Sequence, residues 1–507
     1  MKKLLFLLLS LICVQLQAQQ VSLALEDKKM DAYLMERKLP TLTIQINRLP
    51  DSVKKVPITY TLVQIGVGMQ TTRYAETDEA GMVKIVFDQN FPNQQAWLSV
   101  GDYLYAGIYV NDGLTVTIDA SKLPKDGAYM IGDGVVYSGV DGQLNTVMNK
   151  NVLFRKKEKE ALSTKLRDLS HTRKKYTSES FFVKVDSIKM AFSAINNEFI
   201  ANFKNYAWAI KNETLSEMYG NLCVSYWGDV MPDALFKEIS TYQPRFTSND
   251  GVLFYRYLDT YTRYLKTGNK DNTLAHTLLR YDSLYTQQKS DILKLVLLES
   301  EKDVFSRSYA TIINSIKVNW CKKQANDELL KANLNQKRID NLFASSTKIE
   351  TATIGTPLIK MPFDAELYRL DNIKSIDDFL INLKQKFPNK AFIFDFWATW
   401  CGPCLSDLPS SKKLHEANKD LAVEYIYLCT SGGSNIDAWK NKVADLQIPG
   451  THIFVDEKII AQLKGLFNAS SGFPAYVVMD AKGQVNAKSI TRMGALNRES
   501  LKMATGL

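Results

Sequence analysis

The stretch Phe392–Cys404 reads Phe-Ile-Phe-Asp-Phe-Trp-Ala-Thr-Trp-Cys-Gly-Pro-Cys. Its first half, Phe392–Trp397, has the length and β-propensity of a strand covered on both faces, and one acid, Asp395, interrupts it. After Cys404 the apolar residues adopt a helical spacing, at Leu405, Leu408, Leu414 and Ala417. The sequence therefore predicts a buried strand that leads into a helix beginning at two cysteines.

Two cysteines at the start of a helix favour thiol chemistry. The thiolate is the nucleophilic form of cysteine, and the unpaired N–H groups and dipole of the first helical turn stabilise an anion. We expect Cys401, at the exposed start of the helix, to be the reactive sulfur with a lowered pKa, and Cys404 to form a disulfide with it and release a mixed-disulfide partner. A C-x-x-C pair can also be half of a zinc site, but zinc needs four ligands. The other nearby cysteine and histidines are isolated in the sequence, so no metal site is predicted.

The pentapeptide Trp400–Cys404, Trp-Cys-Gly-Pro-Cys, is identical to the active site of thioredoxins, and this part of the chain resembles the thioredoxin-like proteins. Asp395 falls where thioredoxins carry a buried carboxylate, and Pro409 falls where their active-site helix is kinked. The segment Gly472–Asp480, Gly-Phe-Pro-Ala-Tyr-Val-Val-Met-Asp, resembles the family's cis-proline loop and the strand that follows it. The resemblance implies a C-terminal α/β thioredoxin-like domain.

The resemblance also implies roles for particular residues. Cys401 would attack a substrate disulfide, Cys404 would resolve the mixed disulfide, and Asp395 would handle the Cys404 proton, because burial raises the pKa of a carboxyl group toward the working pH. A substrate-binding groove is implied for the flanking positions, which are Trp400, Gly402, Pro403, Phe473 and Pro474. The Cys401–Cys404 disulfide would be the redox-active group, and no other cofactor is expected.

The chain also resembles exported oxidoreductases of the TlpA/ResA type. Many of those that act in cytochrome maturation place a glutamate after the second central strand, here Val423–Leu428. The next stretch, Cys429–Ser434, reads Cys-Thr-Ser-Gly-Gly-Ser and contains no acid. Asp395 also stands where exported relatives often carry a neutral residue. These departures from the pattern speak against the specialised cytochrome-maturation role and leave the dithiol chemistry that the resemblance implies.

The N-terminus has the pattern of a secretory signal. Residues 1–18 contain Lys2 and Lys3, an apolar core Leu4–Val14, and Leu-Gln-Ala before the expected cleavage after Ala18. This apolar core is too short to span a membrane, and no later apolar run reaches spanning length. The sequence therefore predicts export to the periplasm or cell envelope of a protein that is not membrane-embedded.

Composition limits the possible partners. The chain has 507 residues, too many for one hydrophobic core, and a formal net charge of +9. Its lysines and arginines are spread along the chain in short clusters, which is typical of solvated helix faces. No nucleic-acid-binding fold accompanies them, so no nucleic-acid partner is expected.

Changes in pattern along the chain predict separate domains. Short alternating strands with turns between them, such as Met82–Phe87 and Leu114–Ile118, predict an N-terminal antiparallel β-sandwich, which resembles domains found ahead of thioredoxin-like domains in envelope proteins of Bacteroidetes-type bacteria. Helical spacing follows and predicts a central all-α domain. The predicted boundaries are a signal peptide 1–18, a β-sandwich domain 19–138, a helical domain 139–343, a linker 344–356 and a thioredoxin-like domain 357–507.

Cysteines outside the dithiol are few. Cys223 and Cys321 lie in the helical region, where two buried helix thiols are favoured over a disulfide or a second redox pair, and Cys429 follows a strand. The sequence alone leaves the state of these three thiols open. A chain with so few cysteines is not stapled by disulfides.

The leading hypothesis is an exported thiol–disulfide oxidoreductase that acts on envelope proteins. Gly402-Pro403 between the cysteines resembles reductants, so a protein-disulfide reductase is favoured, and it would need a membrane thiol-transfer electron donor. One alternative is an envelope binding or scaffold protein in which the dithiol is secondary. Another is a thiol peroxidase, whose P-x-x-x-[ST]-x-x-C signature would need other residues at Phe394 and Ala398. The substrate, the direction, the oligomeric state and the role of the helical domain stay open.

Overall fold

A computed structural model of the chain describes residues 23–36, 38–66, 72–123, 130–265, 273–301, 306–344, 354–467, 469, 472–487 and 489–507. The predicted signal peptide and all but the ends of the predicted linker lie outside these residues. The described helices include none that is both long and apolar enough to cross a membrane. The chain divides into two compact units, Met1–Leu329 and Leu330–Leu507.

The described strands of the first unit form two four-stranded sheets. They are β1 Thr41–Asn47, β2 Pro57–Leu62, β3 Thr72–Glu76, β4 Met82–Val86, β5 Gln95–Val100, β6 Leu104–Tyr109, β7 Leu114–Asp119 and β8 Val135–Ser138. One sheet has the order β4-β1-β7-β8 and the other β3-β2-β5-β6. The prediction of a purely antiparallel arrangement is wrong for one pair, because β1 and β7 run parallel. The turn signals in the sequence predict hairpins, but β1 and β7 are too distant in sequence to be joined by one.

Alternation of apolar and polar residues explains the core of these sheets. In β1 every second residue is buried. Ile44 from the first sheet and Leu98 from the second belong to the same buried apolar cluster. Both sheets therefore contribute one apolar face to a common core.

Helices make up most of the rest of the first unit. They are α1 Met30–Glu36, α2 Gly142–Leu153, α3 Lys156–His171, α4 Ser178–Ile200, α5 Ala207–Ser225, α6 Asp233–Thr241, α7 Asn249–Arg263, α8 Leu274–Leu284, α9 Gln287–Ser300, α10 Arg307–Ser315 and α11 Asn319–Ala344, which begins in this unit and continues past Leu329. Val63 and Phe91 from the strand-rich region share a buried cluster with Phe254 of α7. The strands and helices of this unit therefore pack on one another.

The two cysteines of the helical region are free and buried. Cys223 is 1% exposed and Cys321 is fully buried. Burial raises the pKa of both thiols, since a thiolate loses its hydration there. The structure confirms the favoured interpretation of two buried helix thiols.

The second unit is a seven-stranded sheet flanked by helices. Its strands are β9 Thr356–Met361, β10 Ala365–Leu370, β11 Ala391–Trp397, β12 Val423–Thr430, β13 Gly450–Val455, β14 Ala475–Met479 and β15 Val485–Asn486. Its helices are α12 Ile376–Lys386, α13 Gly402–Ala417, α14 Ile436–Leu446, α15 Glu457–Leu466 and α16 Arg498–Thr505. The sheet order is β15-β14-β11-β12-β13-β10-β9.

Strand β11 lies in the interior of this sheet and positions the dithiol. It pairs in parallel with β12 and antiparallel with β14, and all seven of its residues are buried. Phe394 points to one apolar cluster of the sheet, while Ile393 and Trp397 point to the other, which also contains Cys401 and Cys404. The predicted strand covered on both faces is therefore observed, and it leads directly into α13.

Candidate active site

The two cysteines begin helix α13 and form a disulfide. Cys401 is the N-cap residue, with an extended backbone, and its Sγ accepts a hydrogen bond of 3.2 Å from the Cys404 N–H. The two sulfurs are bonded at 2.04 Å. A thiolate formed at Cys401 on reduction would occupy the same N-cap position, where the free N–H groups of the first turn stabilise negative charge.

Accessibility does not separate the two sulfurs in this oxidised form. Cys401 is 4% exposed and Cys404 is 2% exposed. The prediction of an exposed Cys401 is wrong for this oxidised form, in which the disulfide-bonded residue is buried. The difference between the two cysteines lies in their place in the helix, since only Cys401 is the N-cap.

Trp400 directly precedes Cys401, and two contacts hold its side chain. Its side chain is 58% exposed, and its Nε1–H donates a hydrogen bond of 2.9 Å to the Gly432 carbonyl. Its ring meets the ring of Phe473 edge to face, with 5.8 Å between centroids. Gly433 has φ +71°, and a Cβ there would lie 2.8 Å from Trp400 Nε1. A glycine is therefore required under this indole.

The remaining groove residues predicted from the resemblance lie in two segments. Gly402 and Pro403 form the first turn of α13, where Pro403 is exposed. The Phe473–Pro474 peptide bond is cis. Phe473 and Pro474 are half-buried and precede β14 directly. The structure thus brings Trp400 and Phe473 into contact.

Asp395 lies in the middle of β11 and is 3% exposed. Its register partners on the neighbouring strands are Tyr427 of β12 and Tyr476 of β14. Burial raises its pKa well above the ordinary value, and the charge of Asp407 adds to this effect. Asp395 is therefore a carboxyl group that the fold keeps protonated to a higher pH than an exposed carboxyl group.

Asp407 is a buried carboxylate that is not among the site residues predicted from the sequence. It lies on α13 one turn after Cys404 and is 8% exposed. Its oxygens accept hydrogen bonds from the Tyr476 hydroxyl at 2.6 Å and from the N–H groups of Met493 and Gly494 at 2.7 and 3.0 Å. The available signal was an acid three residues after the second cysteine, on the same helix face.

A second hydrogen bond joins α13 to β12, the strand on the other side of β11 from β14. The hydroxyls of Ser411 and Tyr427 are 2.8 Å apart. Asp407 and Ser411 are four residues apart and therefore lie on the same face of α13. The tyrosines on both sides of Asp395 are thus each bonded to the active-site helix.

Cys429 lies at the end of β12 beneath the loop that leads to the dithiol. Its Sγ lies 4.0 Å from Ser434 Oγ, and Ser434 Oγ accepts a hydrogen bond of 3.2 Å from the Thr399 N–H. Burial raises the pKa of Cys429 to about 12. This thiol is therefore protonated and unreactive at neutral pH. Within the described residues, no group of three or more His, Cys, Asp or Glu side chains is arranged to hold a metal ion.

Part of the second unit matches the model of a known protein family. Residues 374–500 match the family model described as Redoxin. The domain that carries the dithiol is thus thioredoxin-like, as its sequence predicts. No match was found among curated proteins.

Solved structures of thiol–disulfide proteins resemble about a quarter of the chain. A thiol:disulfide interchange protein of the thioredoxin family from Chlorobium tepidum is 23% identical, with 24% of this chain and 85% of that chain covered and a TM-score of 0.22. A secreted disulfide oxidoreductase from Mycobacterium tuberculosis is 20% identical, with 24% and 84% covered and a TM-score of 0.20. The thioredoxin domain of a thiol-disulfide oxidoreductase from Bacteroides vulgatus is 20% identical, with 23% and 77% covered and a TM-score of 0.20.

Proposed function

We propose that the protein is a thiol–disulfide oxidoreductase whose reaction takes place at Cys401 and Cys404. The observation that carries this proposal is the disulfide at the N-terminus of α13, in which Cys401 Sγ already accepts the Cys404 N–H. A sulfur in this position is stabilised as the thiolate, which makes it both a good nucleophile and a good leaving group.

The proposed reaction starts from the dithiol form. The Cys401 thiolate attacks one sulfur of a substrate disulfide, the substrate S–S bond breaks, and the released substrate thiolate takes up a proton. Cys404 then loses its proton and attacks Cys401 Sγ in the mixed disulfide, which releases the second substrate thiol and leaves the Cys401–Cys404 disulfide. A dithiol donor must reduce this disulfide to start another cycle.

Asp395 is proposed as the base for the second step. Cys404 must become a thiolate before it attacks, and the raised pKa of Asp395 makes the carboxylate basic enough to accept its proton near neutral pH. Asp407 supports this role, since its charge adds to the rise in the pKa of Asp395. Trp400 and Phe473 are proposed to border the groove for the substrate polypeptide, where an exposed backbone edge can pair with an extended chain.

The finer proposal is an exported protein-disulfide reductase of the TlpA/ResA type that acts in the periplasm or cell envelope. It rests on the signal-like residues 1–18, on Gly402-Pro403 between the cysteines, and on strand-rich sheets ahead of the thioredoxin-like domain. Its partners would be envelope proteins with disulfides and a membrane protein that transfers electrons between thiols.

The test is reduction of insulin disulfides by the chain from residue 19 onward, followed by turbidity. The protein should accelerate precipitation with dithiothreitol as donor, and a Cys401→Ser variant should not. In cells, Cys404→Ser should accumulate mixed disulfides with envelope proteins through Cys401. Absence of both effects would remove the oxidoreductase proposal, while the measured reduction potential of the Cys401–Cys404 pair decides between reductant and oxidant.

A further inference from the structure

Lys464 is a buried lysine in the last turn of α15, next to the cis-proline loop. It is only 6% exposed. Its Nζ donates a hydrogen bond of 2.6 Å to the Gly472 carbonyl and lies 4.1 Å from the centroid of the Phe473 ring. The Phe396 ring of β11 lies 5.9 Å from the same nitrogen. A lysine so deeply buried is uncommon, because its ammonium group loses hydration.

Two of the described contacts of Lys464 are with the loop. A carbonyl oxygen and the face of an aromatic ring both carry negative partial charge, and an ammonium group within about 6 Å of a ring centroid is attracted to it. Burial lowers the pKa of Lys464, yet the side chain keeps its nitrogen at Gly472 and Phe473. The fold therefore places a costly cation where it fixes both the backbone and the side chain of two consecutive loop residues.

The loop that Lys464 contacts is connected to the dithiol region through the side chain of Phe473. The Phe473 ring packs edge to face on Trp400, and Trp400 is bonded in turn to the Gly432 carbonyl. Helix α15, which carries Lys464, packs on the face of the sheet that contains Phe396. Cys401 and Cys404 belong to the apolar cluster on the opposite face. Phe473 packs against both clusters. It is therefore the link between the lysine and the face that carries the dithiol.

We propose that Lys464 is a positioning residue that holds the Gly472–Pro474 loop in the shape that receives polypeptide disulfides. The inference rests on the proposed oxidoreductase function and specifies which substrates depend on the loop. None of the contacts of Lys464 described above involves the sulfur atoms. Loss of the Lys464 side chain should therefore weaken the binding of extended polypeptides. The reaction of the dithiol with small disulfides should stay unchanged.

The test compares two substrates in matched variants. Lys464→Met keeps most of the side-chain volume and removes the donor and the charge, and Lys464→Arg restores both. Lys458→Met, an exposed lysine of the same helix, is the control. We expect Lys464→Met to raise KM for insulin about tenfold, the effect of losing one hydrogen bond to a charged group. The rate with oxidised glutathione should change less than about twofold. The reduction potential of the Cys401–Cys404 pair should stay constant. Lys464→Arg should recover most of the insulin KM.

Hydrogen–deuterium exchange gives a readout that does not depend on turnover. Lys464→Met should accelerate exchange in a peptide covering 472–479 and leave a peptide from α12 unchanged. If wild-type protein fails to reduce insulin but this acceleration occurs, the oxidoreductase proposal fails and the positioning role stands. If wild-type protein is active and Lys464→Met has normal KM and normal exchange, the positioning role is overturned.

Two further outcomes also decide the question. An equal loss of rate with insulin and with oxidised glutathione would show a general effect on the dithiol and would overturn the proposal. If Lys464→Met does not fold, Lys464→Gln keeps a polar donor of shorter reach and takes its place. This variant should show the same insulin-selective rise in KM, and a normal KM would overturn the proposal.

Discussion

The hydroxyl of Tyr476 donates a hydrogen bond of 2.6 Å to Asp407 Oδ2, and this bond joins the strand after the cis-proline loop to the helix that begins at the dithiol. Tyr476 is also the register partner of Asp395 on β11. Tyr476 is therefore bonded to Asp407 and is the neighbour of Asp395 in the sheet. The two carboxyl groups are not equivalent, because Asp407 accepts three hydrogen bonds while Asp395 has its pKa raised mainly by burial.

Removal of the Asp407 charge should lower the pKa of Asp395. In Asp407→Asn the charge that adds to the effect of burial disappears, so the pKa of Asp395 should fall while staying above its ordinary value. A carbon-13 NMR titration of the Asp395 carboxyl group measures this. The variant should also lose about 1–3 kcal/mol of stability, because asparagine cannot replace a carboxylate that accepts three bonds.

Asp420→Asn is the matched control for this experiment. Asp420 is an exposed carboxylate of the same domain that pairs with Arg498. It should leave the titration of Asp395 unchanged. An identical Asp395 titration in Asp407→Asn and wild-type protein would contradict the electrostatic link between the two acids.

The reduced protein should be alkylated first at Cys401. The N-cap position stabilises its thiolate, so its pKa should lie below that of a free cysteine. The free thiols of the described residues are internal controls, since burial raises the pKa of each of them, and they are Cys223, Cys321 and Cys429. Iodoacetamide at pH 7 followed by peptide mass mapping should find Cys401 modified before any other cysteine. Faster labelling of Cys404 would reverse the assignment of nucleophile and resolving thiol.

Local signals in the sequence predict the central part of the site. The apolar run before Cys401, the helical spacing after Cys404 and the motif around Pro474 are each contained in a few residues. Asp407 and Lys464 are different, because their importance depends on the fold. The backbone partners of Asp407 at Met493 and Gly494 are 86 and 87 residues away along the chain. No periodicity or short motif connects positions so far apart.

The same limit applies to the first unit. Hydrophobic alternation predicts its strands, since alternation depends only on which face of a strand is buried. The parallel pairing of β1 with β7 depends instead on how two distant strands meet. The packing of Val63 and Phe91 among helical residues likewise appears only in three dimensions.

Lys294 should be essential for the stability of the first unit. Its Nζ bonds to Asp291 at 2.9 Å, to Asp282 at 2.8 Å and to the Ser315 carbonyl at 3.0 Å, and both Lys294 and Asp291 have fully buried side chains. Lys294→Met would leave a buried carboxylate without its cation, which costs about 3–5 kcal/mol. Urea denaturation measures the loss.

Lys323→Met is the control for this prediction. Lys323 pairs with Asp327, but both side chains are largely exposed, at 76% and 49%. An exposed pair contributes little, so the change should be below about 1 kcal/mol. Equal effects of the two substitutions would contradict the stabilising role of the buried pair.

Asp395→Asn should separate the catalytic role of the carboxyl group from its effect on stability. Asparagine keeps the shape of the side chain and removes the proton acceptor. If Asp395 accepts the Cys404 proton, insulin reduction should slow near neutral pH, and the deficit should shrink at higher pH as hydroxide takes the proton. Reaction of Cys401 with a small alkylating reagent should change much less, since that step does not need the Cys404 proton.

The stability of the same variant should change in the opposite direction. Burial raises the pKa of Asp395 in the folded protein, so the protonated carboxyl group contributes its full stabilisation below the unfolded-state pKa, near about 4. This stabilisation is lost as the pH rises through the folded-state pKa of Asp395. Asparagine has no proton to lose. Relative to wild-type protein, Asp395→Asn should therefore have a similar Tm at pH 4 and a higher Tm at pH 8. A Tm difference independent of pH, together with a normal pH–rate profile, would show that Asp395 takes no part in proton transfer.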